Sequence, residues 1–214
     1  MIKNIITVND NPAIVQVEFE PFLPDEKLDK IYQEVDSFKE INYNDELTQK
    51  ANRFAYRGKS KVAEKFAYNI SLCFKEITKH IIKLDPVNYP IYYGKAKSKD
   101  KMLDQWYEEQ QLWKKRHGLL ILDKPGFSQG FHIDNRFVLW AGIINLQDNS
   151  ATTEHYRKTG EYDYELYYKS TGKKWFGTFW LNTEHTWHML PEVTEDRRIV
   201  LCNQWQCATA LDPK

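Results

Sequence analysis

The sequence predicts a mainly β protein in which an N-terminal helical support layer packs on a C-terminal β core of sandwich, jelly-roll or barrel type. Three observations predict it. From Leu119 onward, short β-prone runs follow one another, separated by polar, Gly- or Pro-containing turns. Before Gly118, two stretches carry apolar residues at intervals of three to four, the helical period. All seven Trp (106, 113, 140, 175, 180, 187 and 205) lie beyond residue 105 of the 214-residue chain.

Taken in order, residues 13–19 (AIVQVEF) alternate with β-branched residues and read as a strand, which Pro21 and Pro24 break. Asp25 and Glu26 open an amphipathic helix with Leu28, Ile31, Tyr32 and Val35 on one face. Residues 41–58 are polar and irregular. Val62, Phe66, Ile70, Phe74, Ile77 and Ile81 mark a longer helix that Asp85-Pro86 ends. Residues 100–116 carry a third, highly charged helical stretch, read as a solvated face. The β core then reads as strands at 119–123, 137–146, 162–168, 175–181 and 198–205. No Gly-, Ser- or Pro-rich linker divides the chain, so residues 1–214 are expected to form a single domain, with support over 1–117 and core over 118–207.

Composition narrows the function. Hydrophobic residues make up 42% and aromatics 14%, which excludes a disordered chain. Thirty basic and thirty acidic residues give zero net charge, so no global positive field favours nucleic acid or an anionic membrane. The N-terminus lacks a secretory h-region, and no run of about 18 apolar residues is present. Cys73, Cys202 and Cys207 are odd in number and lack a CxxC spacing; they read as free thiols in a reducing, cytoplasmic setting.

The chemistry concentrates in the second half. His132-Ile133-Asp134 places an imidazole and a carboxylate two residues apart, on one face of any strand. His188 follows in a later β run, and Arg197 and Arg198 lie just beyond it. Two His and one carboxylate occupy one face of an octahedral metal and leave three positions open, the ligand set of non-haem Fe(II) oxygenases. A guanidinium nearby can pair bidentately with a carboxylate.

The order HxD, distal His and then a basic residue, within a run of short strands, resembles the Fe(II)/2-oxoglutarate-dependent dioxygenase family. The opening PAIVQVEFEPFLPDEKLDKIYQEV resembles its prolyl-hydroxylase-like branch. The resemblance implies a double-stranded β-helix (jelly roll), Fe(II) held by His132, Asp134 and His188, and 2-oxoglutarate as co-substrate with its distal carboxylate on Arg198 or Arg197. It implies oxidation, usually hydroxylation, of a small-molecule or peptidyl substrate. The chain departs from the family pattern in lacking a Gly-Gly-x-Thr stretch after HxD, where it has Thr152 and Thr153. It also carries Lys124-Pro125-Gly126 where some members place a Tyr.

Two choices follow from strand alternation. His188 precedes apolar Met189-Leu190 and re-enters a strand, whereas His185 sits in the polar NTEHT turn, so His188 is the expected ligand. Arg198 is preferred over Arg197 as the co-substrate anchor, because Val200, Cys202 and Gln204 would then line the pocket while the bulkier Ile199 and Leu201 pack on helices. Arg136 reads as a surface ion-pair partner with an anionic substrate group as the alternative. Trp140, Trp175 and Trp180 read as core, and Trp187 as close to the metal through its neighbour His188. His80, His117 and His155 read as structural or surface residues, Cys202 as a buried thiol, and Lys95 to Lys101 as a basic loop. An intact Asp134 disfavours halogenation, since a halide needs that coordination position. The competing class is a cupin-like jelly-roll binding or structural protein without oxygenase activity, which metal analysis separates from the oxygenase.

Overall fold

The computed structural model of the protein describes residues 1–10, 13–41, 52–84, 116–135, 138–183 and 185–205. Residues 85–115 and 206–214, Arg136 and the His117 side chain fall outside them. The expectations for a third helix, the basic loop, Arg136, His117 and Cys207 therefore lie outside the described residues.

A β-hairpin of β1 (Ile2–Asp10) and β2 (Ala13–Phe19) opens the chain. Helix α1 (Asp25–Gln33) follows, with Asp25 and Glu26 in its first turn, where acidic groups meet the positive end of the helix dipole. It buries Leu28, Ile31 and Tyr32. Short strands β3 (Phe38–Glu40) and β4 (Arg53–Tyr56) form a second antiparallel pair. The expected long helix is interrupted at Cys73, giving α2 (Lys61–Leu72) and α3 (Phe74–Leu84). One apolar stripe runs through both, with Phe66, Ile70, Phe74, Ile77 and Ile81 fully buried. The remaining strands are β5 (Arg116–Asp123), β6 (Gln129–His132), β7 (Val138–Asn145), β8 (Glu154–Lys158), β9 (Tyr164–Lys169), β10 (Phe176–Leu181), β11 (Trp187–Leu190) and β12 (Arg197–Trp205).

These strands form two antiparallel sheets. The larger runs β1-β2-β10-β7-β12-β5-β4-β3 and the smaller β6-β11-β8-β9. The first half of the chain is thus more than a helical layer, because β1 to β4 supply both ends of the larger sheet. Helices α2 and α3 cover one face of that sheet, α2 over β5 and α3 over β2 and β10. Central β7 is buried along its whole length, as a strand covered on both faces must be. Its Trp140 packs edge-on to Phe74 at 5.0 Å and donates its indole N–H to Thr78 Oγ1 at 2.8 Å, tying sheet to helix. Gly142 on β7 has no room for a side chain, since a Cβ there would lie 2.3 Å from the Phe179 ring. On the opposite face of the sheet, Ala55, Ile121, Ile143 and Ile199 form a separate buried cluster between the sheets.

No described helix is long and apolar enough to cross a membrane.

Candidate metal centre

The two sheets each bring one row of polar side chains to the space between them. On the smaller sheet, His132 pairs with His188 across β6 and β11, His188 with His155 across β11 and β8, and His155 with Tyr168 across β8 and β9. Directly opposed residues share a face, so His132 and His188 stand side by side with ring centroids 4.3 Å apart. Asp134 lies two residues past the end of β6, and its Oδ2 is 3.6 Å from His188 Nε2. One ligand atom from each of His132, Asp134 and His188 lies within 4.8 Å of the other two.

The hydrogen bonds set these rings up as ligands. His132 Nδ1 is 2.7 Å from the Gly130 carbonyl and His188 Nδ1 is 3.0 Å from the Thr186 carbonyl. A carbonyl only accepts, so Nδ1 carries the hydrogen in each ring and Nε2 keeps its lone pair. Burial pulls the His188 pKa down, as does neighbouring His132, against the pull of the Asp134 charge and the Thr186 bond in the other direction. The net lowering favours the neutral imidazole that a metal requires. The Gln129 side-chain amide, 3.0 Å from His132 Nε2, donates to that lone pair and must turn aside for a cation. Two imidazoles with Nε2 turned toward a carboxylate, converging with open space beside them, fit a divalent iron.

Asp134 is held from the larger sheet. Trp180 on β10 donates its indole N–H to Asp134 Oδ2 at 3.0 Å. Two residues on, Asn182 Nδ2 reaches the backbone carbonyls of Asn135 at 2.9 Å and Val138 at 3.1 Å. Trp180 is therefore part of the site as well as of the core, a role that its apolar surroundings in sequence did not signal.

A second row crosses the larger sheet. Arg197 on β12 pairs with Asp123 on β5, which pairs with Arg53 on β4. Asp123 is fully buried and accepts from both arginines: Arg53 Nε at 2.6 Å and Nη2 at 3.0 Å, and Arg197 Nη1 at 2.9 Å. Arg53 also stacks over Phe127 at 4.2 Å. Nε and Nη2 of Arg197 are buried without a hydrogen-bond partner among the described residues. A cavity of about 160 Å³ connects the two rows, lined by Asp134, His188 and Trp180 at one end and by Arg53 and Arg197 at the other.

The alternation of β12 is the reverse of the expectation. Arg198 faces the helices, bonds Asp29 on α1 at 2.6 Å and lies over the Tyr32 ring at 4.8 Å. Arg197, with Ile199, faces the space between the sheets. The physical reason is packing on the helix side. Val200 and Cys202 lie in the cluster that α2 and α3 cover, with Phe66, Ile70 and Phe74. The bulkier Ile199 fills the space between the sheets.

The other candidates are placed as follows. His185 is exposed, with its backbone N–H on Thr183 Oγ1, outside the ligand cluster. Trp187 points away from the metal ligands and stacks on Phe131 at 5.0 Å and 14°, with Tyr164 at 5.2 Å. His155 is neither surface nor isolated. It is fully buried, 5.0 Å from the Trp180 ring and 5.9 Å from His188, and both its nitrogens lack a partner among the described residues. Burial, with a smaller contribution from neighbouring His188, holds its pKa well below the ordinary value. Cys202 is a buried thiol. His80 lies 3.2 Å from Thr7 Oγ1.

No family model and no curated protein matches the chain. Solved structures do. The chain is similar to a prolyl-4-hydroxylase from Pseudomonas putida, with a TM-score of 0.52 and 8% identity over 90% of this chain and 93% of that one. It is similar to a prolyl hydroxylase from Trichoplax adhaerens, solved with a peptide fragment of the hypoxia inducible factor oxygen degradation domain (TM-score 0.53, 12% identity, 89% of this chain and 83% of that one). OsALKBH1 matches with a TM-score of 0.50 and 9% identity over 95% of this chain and 100% of that one. At these identities the likeness shows a shared fold.

Proposed function

We propose that the protein is a non-haem Fe(II) oxygenase that couples decarboxylation of 2-oxoglutarate and reduction of O2 to oxidation, in the simplest case hydroxylation, of a substrate. One observation carries this reading. A single cavity is lined at one end by Asp134 and His188, whose ligand atoms converge with that of His132, and at the other by two buried guanidinium groups sharing one carboxylate.

His132 Nε2, His188 Nε2 and the Asp134 carboxylate would hold the iron. Bound Fe(II) supplies the redox chemistry, by which 2-oxoglutarate and O2 yield succinate, CO2 and an oxygen atom transferred to substrate. The protein's residues do the rest. The Gly130 and Thr186 carbonyls fix both imidazoles in the ligating tautomer. Nε and Nη2 of Arg197 are buried without a hydrogen-bond partner among the described residues, and leaving buried charged donors unsatisfied is costly. A carboxylate at these two donors would satisfy them, which supports Arg197 rather than Arg198 as the partner of the co-substrate's distal carboxylate. Ile143, Leu201 and Val138 line the cavity with hydrocarbon and limit water around the reacting groups. The peptide held by the Trichoplax neighbour supports a peptidyl side chain as one substrate class, beside a free small molecule.

The test is anaerobic addition of Fe(II) and 2-oxoglutarate to the purified protein. A weak visible charge-transfer band is expected, and Asp134→Ala abolishes it. A wild-type spectrum that stays unchanged overturns the reading.

A further inference from the structure

We propose that Trp180 is a positioning residue for the metal-ligating carboxylate, holding Asp134 in place through its indole N–H. This rests on the reading of His132, Asp134 and His188 as the metal site.

Each of the three ligands has a hydrogen bond that orients it, but the bonds differ in origin. The imidazoles are fixed by carbonyls of their own strands or the adjoining turn, Gly130 and Thr186. Asp134 lies beyond the end of β6, and its carboxylate takes its donor from a distant element, Trp180 Nε1 at 3.0 Å. Trp180 and Asn182 are two apart on and just past β10, so both point at the loop that carries Asp134. Asn182 fixes the backbone of that loop through the carbonyls of Asn135 and Val138, and Trp180 fixes its side chain.

Tryptophan suits this task. The indole N–H is a donor only, so it cannot bind the cation itself or compete for it. Its ring, 3% exposed, packs on Ile14, Val138 and Ala141 and lies 4.8 Å from His188, so one rigid side chain touches two of the three ligands. A core-filling aromatic alone needs no N–H. The bond to Oδ2 sets the carboxylate rotamer before a metal arrives and draws electron density from one of its oxygens.

The experiment uses Co(II), whose visible ligand-field bands report coordination geometry, with the full-length protein. Trp180→Phe keeps the apolar ring and removes the N–H. The expected result is Co(II) binding weakened by about 10–100-fold, as for loss of other hydrogen bonds to metal ligands, with altered ligand-field bands, in a metal-free protein that still unfolds cooperatively. Wild-type affinity and bands in Trp180→Phe overturn the proposal while leaving the metal site intact. Failure of the wild type itself to bind Co(II) overturns the metal reading, and this proposal with it. Should Trp180→Phe not fold, indole N–H resonances of the 15N-tryptophan-labelled wild type and Asp134→Asn decide. The proposal expects one indole N–H to move strongly on that substitution, and no movement overturns it.

Discussion

Arg197 and Asp123 stand directly opposite each other on β12 and β5, with Nη1 2.9 Å from Oδ2 and both side chains buried. The pair continues to Arg53 on β4, so one cross-strand row of charge faces the histidine row of the smaller sheet.

Arg197→Met should raise the 2-oxoglutarate concentration needed for half-maximal turnover by tenfold or more, in line with about 1.5–3 kcal/mol for hydrogen bonds to a charged group. Arg198→Met should change it little, because its ion pair with Asp29 is partly exposed and such pairs are worth about 0–1 kcal/mol. Steady-state titration of the co-substrate on both variants checks this. The reverse pattern returns the role to Arg198.

Asp123→Asn removes the buried carboxylate that Arg53 and Arg197 share. A loss of about 3–5 kcal/mol in urea unfolding is expected, the range for breaking a buried ion pair from one side. Combining it with Arg53→Met should cost less than the sum of the two single losses, since both substitutions break the same ion pair.

Thr78→Val removes the acceptor of the buried Trp140 indole and keeps side-chain shape. A destabilisation of about 1–3 kcal/mol is expected, the cost of an orphaned buried donor. Denaturant unfolding measures it, with unchanged metal binding as the control.

Burial raises the Cys202 thiol pKa well above its ordinary value, with Cys73 adding to the effect. The sign follows directly. The folded state keeps the proton where the unfolded chain, with its lower thiol pKa, begins to lose it. The stability this protonation confers is complete below the unfolded thiol pKa and is lost as pH rises through that value toward the folded one. Stability should therefore fall above the ordinary thiol range, and Cys202→Ala should flatten that part of the profile. A profile that Cys202→Ala leaves unchanged counts against the assignment.

The clustering of His132, Asp134 and His188 was legible because each signal is local: a two-residue spacing on one strand, and a histidine re-entering another. The phase of β12 was not. Alternation shows that Arg197 and Arg198 face opposite ways, but which face looks inward is decided by helices packing on Val200 and Cys202. Arg53 and His155 left no local signal, since they join the site through strand register, Arg53 against Asp123 and His155 against His188. Strand β1 hid behind Lys3, Asn4 and Asn9, which an edge strand tolerates and a central strand would not. The helix stripe from Phe66 to Ile81 was plain, but its interruption at Cys73 was not, because the apolar period runs through it unbroken.

The order of strands in the larger sheet has a consequence for how the protein is made. Strand β2 pairs with β10, and β5 with β12, so early segments wait for partners synthesised more than a hundred and about eighty residues later, respectively. Such long-range pairing gives a high contact order and slow folding. The charge row needs Arg53, Asp123 and Arg197 together, so a nascent chain has no complete site until its last described strand has left the ribosome. Until then the edges of β2 and β5 stay open to wrong partners, and the cluster of His132, Asp134 and His188 is among the last parts of the molecule to exist.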